Sequence, residues 1–179
     1  MTETREGWHR HTNGGGWVQD TAYVAESAYV GPDARVFDTA QIFDTARVSG
    51  DARVSGDARV YGTAKVFDGA RVCGLARVFD GARVWGDAQV FGHAKVFDDA
   101  WVFGHAQVFD TAQICGTAQV FDTARVFGHA WVFGHAHVFG DARVSGDARV
   151  SGDARVSGHA YVFGDASVST GDITEGERS

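Results

Sequence analysis

From Ala22 to Ala166 an alanine stands at every sixth position, 25 times in succession, and Val or Ile follows each of them two residues later. A period of six fits neither a straight helix nor a heptad, whereas the run Ala, polar, Val alternates with the period of two of a short strand. Ala and Val are therefore predicted to point inward together, and the residue between them outward. That outward slot holds Arg in eleven units, Lys in two (Lys65, Lys95) and Gln in five, as a solvated position requires. The two residues before each alanine form the corner. The first is Gly in fifteen units and Asp in eight, residues that accept a left-handed backbone where a β-branched residue does not. Gly50 to Val60, GDARVSGDARV, shows the unit twice in almost pure form.

Three such strands and three corners close a triangular coil of eighteen residues, and stacked coils pair each strand with those above and below at about 4.8 Å. The expected fold is all-β: a single-stranded parallel β-helix of three hexapeptides per coil, about eight coils and roughly 40 Å long. One coil cannot bury its apolar side alone, so stability is a nearest-neighbour sum with ends that need covering. The expected organisation is a polar amino-terminal arm at 1–15, the β-helix at 16–169 and a polar tail at 170–179. In this organisation Trp17 covers the lower prism end, helped by Trp8, while the phase breaks down after Ser169 and the last six residues are expected to be disordered.

The slot directly after each Val or Ile is the most unusual. It holds all thirteen Phe, with Tyr61, Trp85, both cysteines and six serines. Exchange between Ser and Phe argues against a sealed core, which would be left with voids. With coil neighbours eighteen apart, three ladders are predicted: Phe43, Tyr61, Phe79 and Phe97; Phe67, Trp85, Phe103, Phe121 and Phe139; and Phe91, Phe109 and Phe127. Rings in them can satisfy one another and the Arg stems, or form ridges through which rods associate. Rings turned into the prism are a third arrangement.

The net charge of −7 argues against a nucleic-acid groove, and the Arg and Lys slots are matched by Asp in neighbouring corners. Residues 1–13 have no apolar run, so neither a signal peptide nor a membrane span is expected and the expected compartment is the cytoplasm. Cys73 and Cys115 lie 42 residues apart, not a multiple of eighteen, and should be free thiols on different edges. His93, His105, His129, His135 and His159 share the corner slot before Ala, but no two are eighteen apart, so no imidazole ladder and no metal-ligand set is expected. No cofactor is expected.

Read from the valine, the unit V-x-G-x-A-x resembles the hexapeptide repeat of left-handed parallel β-helix proteins over Gly16 to Ser169. That family commonly has Gly or Asn directly after the aliphatic residue, while here Gly or Asp comes one position later. The resemblance implies left-handed winding. Gly15 to Val18, GGWV, followed directly by repeats, also looks like the opening of a group of bacterial and prophage-encoded hexapeptide-repeat proteins of unassigned function. Hexapeptide-repeat enzymes are mostly acyltransferases, trimers in which a histidine works between prisms beside an extruded loop or an added helical domain. Here no coil carries an insertion, and a corner histidine such as His105 or His129 is where such activity would sit. The sequence therefore reads as a non-enzymatic structural rod, self-assembling through its aromatic ladders or its ends, with itself as the expected partner and with acyltransferase activity as the alternative.

Overall fold

A computed structural model describes residues 6–179, which contain no helix. Strands recur every six residues from Tyr23–Val24 to Ser167–Val168 and build three parallel sheets, the faces of a triangular prism. The first face begins with Trp8–Arg10 and Trp17–Gln19, continues through Arg35–Val36 at steps of eighteen to Tyr161–Val162, and ends at Glu177–Arg178, eleven strands in all. The second runs from Tyr23–Val24 to Ser167–Val168 and the third from Tyr29–Val30 to Asp172–Ile173, nine strands each. Registers are eighteen apart throughout the body: Arg71 lies against Arg53 below and Gln89 above.

The pattern dictates this directly. From Ala28 to Val162 every inward Ala, Val and Ile is 0% exposed. Within the body the backbone groups of each strand are taken up by the coils beside it, as Arg35 N–H donates to the Ala52 carbonyl and Phe37 N–H to that of Val54, both at 3.0 Å. All fifteen corner glycines, among them Gly104 at φ +67°, have left-handed backbone, and so do Asp38, Asp44, Asp68, Asp80, Asp98, Asp110 and Asp122. Aspartate offsets the strain of that conformation by a contact the sequence reading did not foresee. Six of these carboxylates accept the backbone N–H of the corner glycine one coil above, as Asp38 does from Gly56 at 2.9 Å and Asp122 from Gly140 at 3.1 Å.

The ends differ from expectation. Trp17 stands in the outward slot against Arg35, with the Arg10 guanidinium 3.9 Å from its ring centroid, and does not lie across the prism. The covering comes from the arm. Trp8–Arg10 pairs antiparallel with Trp17–Gln19, and the chain then passes beneath the third face, where Val30 N–H donates to Asn13 and Gly16 N–H donates to Val30. His11, buried, hydrogen-bonds the Ala28 carbonyl through Nε2 at 3.0 Å. At the other end the six-residue phase is lost, but pairing is not: Asp172–Ile173 and Glu177–Arg178 follow at steps of five and join Arg155–Val156 and Tyr161–Val162. Gly171 and Gly176, at φ +85° and +83°, supply the tighter corners, so residues 174–179, expected to be disordered, form the last side of the rod.

Candidate interaction surface

The aromatic slot is half-buried along the corners, with its rings neither inside the prism nor fully bare. Parallel in-register pairing sets equivalent side chains about 4.8 Å apart, close to the spacing of offset-stacked rings. The second ladder stacks without interruption, with centroids 5.5 Å apart for Phe67–Trp85, 4.4 Å for Trp85–Phe103, and 4.9 Å for Phe103–Phe121 and Phe121–Phe139. The third stacks at 4.9 and 5.0 Å through Phe91, Phe109 and Phe127. In the first, Tyr61, Phe79 and Phe97 stack at 4.8 and 5.0 Å, while Phe43 tilts toward Tyr23 and breaks the run. All these stacked rings are within 5° of parallel.

Outward residues of the third face clamp the second ladder from the side. Trp101 meets Trp85 edge-on at 5.7 Å, His137 meets Phe121 edge-on at 6.3 Å, and the Arg155 guanidinium lies 5.2 Å from the Phe139 centroid. Where the slot holds a small residue, a neighbour closes over it. Cys115 is covered by Trp131, whose indole N–H donates to its Sγ at 3.2 Å, and Ser145 donates to the Tyr161 hydroxyl at 2.9 Å. Burial pushes the thiols of Cys73 and Cys115 above the ordinary range, and both are free. Burial likewise raises the Tyr61 hydroxyl and lowers His137, whose charged form the Arg155 guanidinium disfavours further.

The corner histidines sit on ties that a search for like residues eighteen apart does not find. Thr111 and Thr117 reach Nδ1 of His129 and His135 one coil above, at 2.6 and 2.5 Å, and each hydroxyl also donates to a glycine carbonyl. His105 and His159 lie 3.6 Å from the carboxylates of Asp87 and Asp141, again one coil below. Among the described residues no three His, Cys, Asp or Glu side chains converge as a metal site needs. Charge balance is also looser than the alternation of Arg and Asp suggests: Arg155 with Asp172, at 3.7 Å, is the one Arg–carboxylate ion pair among the described residues. Seven successive outward slots from Arg47 to Arg83 therefore present unpaired cations, although Arg47 stacks on Tyr29 and Arg83 on Trp101.

Residues 52–64, 136–152 and 142–158 match the family model described as the YdcK beta solenoid repeat. No curated protein and no solved structure matches the chain. Three parallel sheets stacked coil upon coil, with solenoid-repeat matches in both halves, make the chain a repeat-built parallel β-helix protein of the β-solenoid kind.

Proposed function

We propose that this protein is a non-enzymatic structural rod that associates side by side with copies of itself through its aromatic corners. The observation that supports this is the uninterrupted second ladder, five rings from Phe67 to Phe139 locked parallel and only half-buried. A preformed, rigid aromatic ridge loses little entropy when a second surface covers it, which favours association over a flexible apolar patch of equal area. The large hydrophobic side chains left most open, Tyr23, Leu75 and Trp131 at 53%, 47% and 38% exposed, add apolar surface elsewhere on the rod.

Light scattering over a wide concentration range, paired with negative-stain microscopy, tests the reading. Dimers, trimers or lateral bundles that dissociate when Phe103 and Phe121 are replaced by Ser support it. A strict monomer at high concentration, or an oligomer indifferent to both substitutions, overturns the assembly surface. Acyl transfer from common donors that is lost in His105→Ala or His129→Ala would overturn the non-enzymatic role.

A further inference from the structure

Between the corner that leads into the first face and that face itself runs a groove of about 700 Å³ near the carboxy-terminal end. Its walls are two columns rising at one coil per step. Thr123, Asp141 and His159 form the corner column, and Arg125, Arg143 and Tyr161 the face column, with Glu177 at the upper mouth.

Arg125 and Arg143 are direct parallel neighbours, so their guanidinium stems start about 4.8 Å apart. Like charges directly opposed across strands repel. The acid that could relieve them is occupied elsewhere: Asp141 accepts from the Thr123 hydroxyl at 2.5 Å through Oδ1, and its Oδ2 lies 3.6 Å from Nδ1 of His159. Neither arginine forms an ion pair among the described residues. A site with two free forks, an imidazole beside a carboxylate and a half-buried tyrosine ring has the donors to bind an anion that bridges the forks.

The rod contains its own control. Six-residue periodicity places comparable columns beside the second face: Thr39, Asp57 and Leu75 at the corner, with Thr39 donating to Asp57 at 2.5 Å, and Gln41, Arg59 and Arg77 on the face. There two arginines are again parallel neighbours, but Leu75 stands in the place of His159, Gln41 in that of Arg125 and Arg77 in that of Tyr161, and the space shrinks to about 150 Å³.

We propose that the groove of Arg125, Arg143, His159 and Tyr161 is a binding site for a small hydroxylated phosphomonoester, its phosphate bridging the two guanidiniums and its hydroxylated body lying against the Tyr161 ring toward Glu177. This site does not depend on association of the rods. Calorimetric titration of the full chain with glycerol 3-phosphate and with inorganic phosphate tests it. Saturable binding is expected, tighter for the phosphomonoester, weakened by salt, and reduced at least tenfold in Arg125→Gln/Arg143→Gln while Arg59→Gln/Arg77→Gln leaves it within twofold. Circular dichroism confirms that each variant keeps its strands, and the single Arg143→Gln provides the same readout if the double variant does not fold. No saturable binding to the wild-type chain at millimolar ligand, or equal losses in the two double variants, overturns the site. Equal affinity for both ligands reduces the site to the phosphate alone and overturns the role given to Tyr161.

Discussion

At the scale of the residue, position within six decides almost everything, and position within eighteen decides the rest. The inward Ala and Val were legible because a period of six repeats them at every strand. Corner glycine and aspartate were legible because the left-handed backbone restricts the choice. What the sequence did not show is what a corner Asp does for the coil above: Asp98 accepts from Gly116 as Asp110 does from Gly128, a tie between unlike residues. Thr111 with His129 escaped notice for the same reason, since a like-with-like search passes over it. His137 shows how a neighbour sets a charge. Burial first, then the Arg155 and His135 charges, hold its imidazole below the usual 6.5. The unfolded chain therefore takes up a proton at higher pH than the folded one, so stability falls as pH drops through 6.5 and levels off below the folded value. Replacing His137 by Gln, the residue directly beneath it at position 119, removes that contribution. Between about pH 7.5 and pH 5 the melting temperature of His137→Gln is expected to fall less than that of the wild-type chain. Equal falls would show that the imidazole gains its proton without penalty in the folded rod.

At the scale of the strand and its corner, two slots three residues apart in the unit have opposite tolerances. Ala106 is 0% exposed, inside a prism whose width is fixed by the backbone on three sides, and its neighbours Ala88 and Ala124 are equally closed. Ala106→Phe has no void to enter and is expected to cost about 1–3 kcal/mol or more, read as a lowered melting temperature. Ser151 is half-buried in the aromatic slot directly above Phe133. Ser151→Phe adds a ring at stacking distance from Phe133, so it is expected to be neutral or to stabilise by up to about 1 kcal/mol. An unchanged melting temperature in Ala106→Phe would refute the inward assignment, and a large loss in Ser151→Phe would refute the open corner. The ladders themselves were legible once eighteen was taken as the coil. Their clamping by Trp101, His137 and Arg155 was not, because it depends on how far a strand residue leans toward its corner.

At the scale of the whole rod, the ends are where sequence reading and structure part. Period counting treats a break in phase as the end of order, yet strand pairing needs only backbone groups at the right height. Asp172–Ile173 and Glu177–Arg178 satisfy it with corners one residue shorter. The body has no such freedom, because each inward Ala and Val must keep its height on three faces at once. Removing Gly86 to Phe103 takes out one coil of eighteen residues and joins Trp85 to Gly104 without changing phase. Trp85 then meets Phe121, so the second ladder closes over the gap, and the inward Val84 meets Val120. Since each coil interacts only with its neighbours, this variant is expected to keep its strand signal, melt cooperatively at a modestly lower temperature, and shorten by about 4.8 Å in solution scattering. Removing Gly86 to Ala94 instead shifts the phase by half a unit and turns the inward residues above it into the corners. That variant is expected to lose the strand signal of the upper rod and to aggregate, because the displaced apolar side chains have no prism to fill. If both deletions melt alike, the coils are not the cooperative unit, and the strict period would have to be explained by what the outer surface meets.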